Sequence, residues 1–187
     1  MEVRVERVTN WERAKNAARL TANKALSDKE SSNKLKEDLM RAEHSPIRLV
    51  EFDIWFTDIP AFVAAHLVRH HVGTNPFQCT RREDRAEVDP REINRLTPVN
   101  LLMSCNVQAL IDISRKRLCS MAHKETTKAW WMVRNAIQKI DPIVAKFMVR
   151  NCTYRGYCPE KAEDCCGYCR TMYFEKELNE YRKRYDE

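Results

Sequence analysis

The chain has 187 residues, 43% hydrophobic and 32% charged, a composition that suits one globular domain, residues 1–187, with a sizeable core. No apolar run approaches the ~20 residues of a membrane span, and the charged opening MEVRVERVTN is unlike a signal peptide, so a cytoplasmic address is expected. The net charge of +6 favours anionic partners, while the only three glycines, Gly73, Gly156 and Gly167, exclude both a G-x-G-x-x-G turn and a Walker loop; phosphate would have to be held by side chains, chiefly arginine.

In chain order, VRVERV alternates apolar and polar residues and reads as a first strand. Thr9 and Asn10 can cap a helix over residues 11–26, and a second short helix follows over 33–42. HSPIRLVEFDIWF reads as a proline-led strand with Val50, Phe52, Ile54 and Phe56 on one face. Asp58 and Pro60 open a small apolar helix over 61–70, and Pro76 predicts a loop or irregular strand after it. Pro98 opens a helix over 99–118, followed by a long amphipathic helix over 122–140 that Asp141 and Pro142 end. Trp130 and Trp131 in that helix read as core and interface residues. A short helix over 142–149, a cysteine-rich segment within 151–187 and a charged helix over 173–185 complete an α+β order in which helix dominates.

The densest chemistry lies in LVRHHVGTNPFQCTRRED, residues 67–84, where an apolar helix ends in Arg69, His70 and His71. Arg69 complements the dipole at a helix C-terminus, but adjacent helix residues point about 100° apart, so the three cannot serve one small contact. A site that wraps the helix end can use all three. His66 and His70 have the i, i+4 spacing of a metal pair, yet no third ligand is suggested nearby.

RHHVGTNPFQC resembles the R-H-R-x7-S signature of the flavin-dependent thymidylate synthases, whose fuller form continues to S-x-R-Y. Arg69 and His70 match, His71 stands at the third basic position, Cys79 at the serine and Arg81 at the later arginine, with Arg82 in place of the tyrosine. A frame shifted by one puts Thr80 at the serine and Arg82 at the later arginine; both frames stay open. HSPIRLVEFDIWF, with Ser45, is similar to the family's H-x-S-P-F-E-H segment without its glutamate. NVQALIDISRKRLCSMAHKE resembles N-x-R-x-L, then L-R, then A-Q-x-E, with Asn106, Leu110, Arg117, Ala122 and Glu125 in register and Gln108 and His123 as departures. The three segments follow the family's order over roughly residues 43–130 and identify the chain as a short, diverged member.

The resemblance implies a homotetramer of α+β subunits, each with an antiparallel sheet packed against long helices, and flavin sites assembled from several subunits. It implies reductive methylation of dUMP to dTMP, with methylenetetrahydrofolate as carbon donor and FAD reduced by NADPH. By that resemblance Arg69, His70, His71, Asn106 and Ser45 contact the flavin, and His66, Arg81, Arg82, Arg95 and Arg117 contact the nucleotide. Arg117 polarises the uracil, and Cys79 or Thr80 stands in for the motif serine. Phe77 occupies the place of an acidic residue, which leaves room for a related product such as hydroxymethylated deoxyuridylate.

The eight cysteines are expected as thiols or metal ligands rather than disulfides. Cys152, Cys158, Cys166 and Cys169 could hold a structural zinc, although only Cys166 and Cys169 form a C-x2-C pair. Cys105 and Cys119 read as small buried helix residues. The competing class is a nucleic-acid-binding module, suggested by the positive charge, the cysteine loop and the Arg–Tyr mixtures TYRGY and EYRKRY. Against it, 27 acidic residues are scattered among the basic ones, so no continuous basic stripe forms.

Overall fold

Alternation of buried and half-exposed side chains, the pattern of a sheet with one covered face, defines four strands in the computed structural model, which describes residues 1–80 and 89–185. They are β1 (Glu2–Arg7), β2 (Glu51–Pro60), β3 (Thr74–Gln78) and β4 (Pro98–Asn106), in the spatial order β1-β2-β4-β3, and every neighbouring pair is antiparallel. Val5, Phe52, Ile54, Phe56, Leu101, Met103 and Cys105 form the buried face. Against it pack α3 (Ala61–Val68) and α5 (Lys124–Ile140), with α4 (Val107–Arg117) beside them. Around these lie α1 (Trp11–Thr21), α2 (Asn33–Arg41), α6 (Pro142–Phe147), α7 (Asn151–Arg155) and α8 (Met172–Arg182). The architecture is α+β, as the sequence predicts. Among the described residues no helix is long and apolar enough to cross a membrane.

The largest departure from the sequence reading lies between residues 98 and 118, where one predicted helix is a strand followed at once by a helix. Val99, Leu101, Met103 and Cys105 are buried and alternate with more exposed neighbours, the period of a strand. Asn106 ends the strand and caps α4, its Oδ1 accepting the Ala109 N–H at 2.9 Å. Cys105 is therefore buried on a strand rather than a helix, and burial pushes its thiol up to about 12.

Smaller departures have local causes. The helix predicted over 11–26 stops at Thr21 because Asn23 takes a left-handed backbone, φ 52°, which asparagine tolerates better than most residues. Ser45–Leu49 is a 3-10 turn and not part of the strand, with Pro46 in its first turn. Asp58 does not start a helix. It sits at φ 53° where the β2–β4 register shifts, and β2 runs on through Pro60. The helix start that follows lacks a side-chain cap; Ala61 and Phe62 instead donate their N–H groups to the carbonyls of Thr97 and Arg95, at 3.0 and 3.1 Å. Pro76 is accommodated because β3 is an edge strand.

Two buried tryptophans tie the layers through polar handles. Trp130, fully buried as predicted, donates its indole N–H to Ser114 Oγ at 2.9 Å, and that hydroxyl donates to the Leu110 carbonyl at 2.6 Å. Trp11 donates to Asp141 Oδ2 at 2.7 Å, and the same carboxylate accepts from Arg7 and caps α6 through the Val144 N–H.

Candidate active site

Because α3 buries Val63, Ala64 and Leu67, its C-terminal end must deliver the polar residues that follow, Arg69, His70 and His71, to the surface beside β3. The last turn of α4 carries Arg115, Lys116 and Arg117 to the same place. The two helix ends meet in direct bonds. Arg117 Nε donates to His70 Nε2 at 2.8 Å, and its Nη2 donates to the His66 carbonyl at 3.0 Å. Thr74 Oγ1 in turn donates to the His70 carbonyl, which ties the imidazole's backbone to β3.

A guanidinium has only donors, so His70 must present an unprotonated Nε2 and carry its hydrogen on Nδ1. The electrostatics agree. Burial, with Arg117, Lys116 and His71 adding like charge, depresses His70 to about 4. Burial followed by Arg117, Arg69, His123 and Arg95 depresses His66 as well, so four basic residues act on a single imidazole. Burial and Arg69 lower Arg117, which nonetheless stays charged at neutral pH. His66 Nδ1 lies 2.9 Å from Thr126 Oγ1, and the Phe62 ring packs against both His66 and His123, with the Arg95 guanidinium 5.0 Å from its centre.

Among the described residues Arg69, Arg95 and Arg117 make no ion pair with a carboxylate. Arg69 and Arg117, whose charges both act on His66, offer guanidinium groups that suit a phosphate or a developing enolate oxygen. A cavity of about 470 Å³, the size of a ligand pocket, opens beside the end of α3, lined among others by Arg69, His70, His71, Val72, Asp112 and Lys116, while Arg117 touches its wall through His70. A second, of about 220 Å³, joins His71 to Gly73, Ser104 and Asn106. Gly73 has φ +72°, and a Cβ there would lie 2.7 Å from Asn106 Nδ2, so glycine is what lets this turn close over the Asn106 cap.

The pH dependence follows from the depressed His70. In the unfolded chain the imidazole takes up a proton near 6.5, whereas in the fold it does so only near 4. Its contribution to stability is therefore complete above pH 6.5, declines as pH falls through that window and is gone below about 4. We expect the His70 ring resonances to titrate more than one unit below a free histidine. A midpoint at or above 6.5 would contradict the Arg117–His70 bond.

The remaining predicted residues are placed as follows. Ser45 is exposed on the 3-10 turn before β2. Cys79 is exposed just past β3, where the Asn100 N–H points to its Sγ at 3.4 Å, and Thr80 follows it. The length of β3, roughly 16 Å at 3.3 Å per residue, separates Cys79 from the Gly73–Asn106 corner. Within one chain Cys79 and Thr80 are thus not brought to the Arg117–His70 pair. Arg95 is exposed near the start of β4, at the other end of α3 from Arg69. Arg81 and Arg82 lie outside the described residues. Phe62, Lys116 and the approach of His123 to His66 are not singled out by the sequence; the His123–Lys–Glu125 segment lies inside a matched motif, but its place beside His66 depends on the packing of α3 against α5.

The cysteines collect elsewhere. Cys158, Cys165 and Cys169 bring their sulfurs within 4.8 Å of one another. Cys166 shares a hydrogen bond with Cys119, and Cys152 lies close to Cys119. Cys119 is half-buried just past α4.

No protein-family model matches the sequence, and no curated protein sequence does. Solved structures do match, and they define the class of fold as that of the flavin-dependent thymidylate synthases. The flavin-dependent thymidylate synthase ThyX from Helicobacter pylori, complexed with FAD and dUMP, superposes with a TM-score of 0.65 at 13% identity, covering 80% of this chain and 100% of that one. The UMP/dUMP methylase PolB from Streptomyces cacaoi, bound with 5-Br dUMP, gives 0.61 at 16% identity over 83% and 96%.

Proposed function

We propose that this chain is a flavin-dependent enzyme that alkylates carbon 5 of deoxyuridylate, converting dUMP to dTMP with methylenetetrahydrofolate and NADPH. The observation that carries the reading is the pair of bonds from Arg117 to His70 and to the His66 carbonyl, which joins the ends of α3 and α4 beside a cavity lined by Arg69, His70 and His71. The motif resemblance names these residues, and the likeness to structures solved with FAD, dUMP or a brominated dUMP supports it. FAD, when bound, supplies the hydride. Arg117, held by His70, offers fixed positive charge to the pyrimidine as negative charge develops on it, and Arg69 with His71 offers a basic wall to the flavin. Asn106 holds the corner through its cap, and Ser45 and Arg95 serve cofactor and nucleotide at the margins.

In this reading the exposed edge of β3 brings Cys79 or Thr80 to the pocket of a neighbouring copy in a homotetramer, and Arg81 and Arg82 bind the nucleotide as the motif resemblance implies. The enzyme works in the cytoplasm. Phe77, exposed at the position of the family's acidic residue, favours a second product reading in which the nucleotide is hydroxymethylated or the substrate is a related uridylate.

The test is product analysis. FAD-loaded protein with dUMP, methylenetetrahydrofolate and NADPH should consume NADPH only when nucleotide is present and yield a product of thymidylate mass. Hydroxymethyl-deoxyuridylate, or faster turnover of UMP, would move the assignment to the second reading. Absence of nucleotide-dependent oxidation, together with DNA affinity that falls steeply with salt, would favour a nucleic-acid-binding module.

A further inference from the structure

Six of the eight cysteines line one cavity of about 130 Å³ beside the end of α4: Cys119, Cys152, Cys158, Cys165, Cys166 and Cys169. The segment that carries four of them, residues 156–171, is built from turns and a short 3-10 helix, Tyr168–Arg170, so apolar packing alone does not explain why its thiols gather. The spacing of the sulfurs does. A tetrahedral zinc with bonds of about 2.3 Å holds its thiolates about 3.8 Å apart; Cys165 and Cys169 are 3.5 Å apart, and Cys158 lies within 4.8 Å of both. An iron–sulfur cluster puts at most two cysteines on any one iron and spreads the others wider, unlike three sulfurs gathered at one point.

Backbone N–H groups point at three of these sulfurs. The Gly167 N–H points to Cys165 Sγ at 3.4 Å, and the N–H groups of Glu160 and Tyr168 serve Cys158 and Cys166 in the same i+2 pattern. Gly167 sits at φ +80° with open space where a Cβ would be. Glycine is thus required there for the turn that aims an N–H at the sulfur, not for packing. Arg170 beside Cys165 and Cys169 adds positive charge at the cluster.

We propose that Cys158, Cys165 and Cys169 hold a single tetrahedral divalent ion of the thiolate-preferring class, zinc foremost, with the fourth position facing the thiols of Cys119, Cys152 and Cys166. The ion clips the C-terminal segment to the end of α4. Arg115, Lys116 and Asn151 are shared between this cavity and the one at Arg69 and His70, so the clip buttresses the wall of the candidate active site without taking part in its chemistry. The inference is independent of the nucleotide reading, since it concerns sulfur geometry alone.

The full chain, purified without a metal-binding tag, should carry one zinc by elemental analysis, and native mass spectrometry should show the added ion. Cobalt exchange should give the intense charge-transfer absorption of a tetrahedral thiolate site. Cys165→Ser and Cys169→Ser should each lower metal content to below about a tenth, whereas Cys79→Ser should leave it unchanged. Should the serine variants fail to fold, the wild-type measurements still decide. A chain that binds neither zinc nor cobalt, one that carries iron with sulfide, a Cys165–Cys169 disulfide in place of metal, or full metal content in Cys165→Ser would each overturn the proposal.

Discussion

Replacing Arg117 by alanine is expected to lower dUMP-dependent turnover by about 10²–10³-fold, the usual cost of removing one preorganised charge donor from an active site. The side chain is half-buried, and its Nε and Nη2 are committed to His70 and the His66 carbonyl, which hold the guanidinium plane between two helix ends. Those bonds use neither of the Nη1 donors. Lysine at this position would keep the charge but could not reach both partners with a planar fork, so Arg117→Lys should recover only part of the loss. His70→Asn should weaken turnover less than Arg117→Ala and move the acid limb of the pH profile, because it alters the orientation of the guanidinium and leaves its charge. Flavin content of Arg117→Ala should remain near wild type, while stability should fall by about 1–2 kcal/mol because His70 Nε2 and the His66 carbonyl lose their donor. Steady-state rates alongside flavin absorbance check this; near-normal turnover in Arg117→Ala would remove the residue from the substrate site.

The second large effect is on stability. Asp141→Ala should cost about 3 kcal/mol, because one carboxylate, 4% exposed, serves three partners from separate elements. It accepts from Trp11 of α1 at 2.7 Å, from Arg7 of β1 at 3.2 Å, and from the Val144 N–H that begins α6. Alanine would leave a buried indole N–H and an arginine without their acceptor and uncap the helix together. For a chain of this size the loss corresponds to a fall in melting temperature of roughly 6–12 °C. Asp141→Asn keeps a single acceptor oxygen, for either Trp11 or the Val144 cap, and turns an NH2 toward the other donor, so it should still cost about 2 kcal/mol. Urea or thermal unfolding followed by tryptophan fluorescence measures both; an alanine variant within about 2 °C of wild type would show that the three contacts are not coupled in the way the structure presents them.

How far the sequence reveals this arrangement varies with the physics of each segment. β1, α2 and α5 carry clean periodicities, and the structure reproduces their bounds within a residue or two. The stretch from Pro98 to Asn106 reads as helix because no glycine or proline separates strand from helix. Asn106 performs both endings in one residue, and the half-buried Leu102 blurs the alternation of Val99, Leu101, Met103 and Cys105. Arg69 and Arg117, far apart along the chain, are joined on paper by the motif resemblance, and the bond from Arg117 to His70 joins their helix ends in space. Phe62 is invisible as a site residue because an aromatic in an apolar helix reads as core. Cys165 yields to Cys152 and Cys166 on spacing because a turn with Gly167 in a left-handed backbone, not regular spacing, brings it to Cys158 and Cys169.

A crystal structure of the protein with FAD and dUMP tests the central claim most directly. It should place the isoalloxazine against Arg69, His70 and His71 and bring the nucleotide within hydrogen-bond reach of the Arg117 guanidinium. Ligands bound far from the junction of α3 and α4, with Arg117 touching neither, would contradict it.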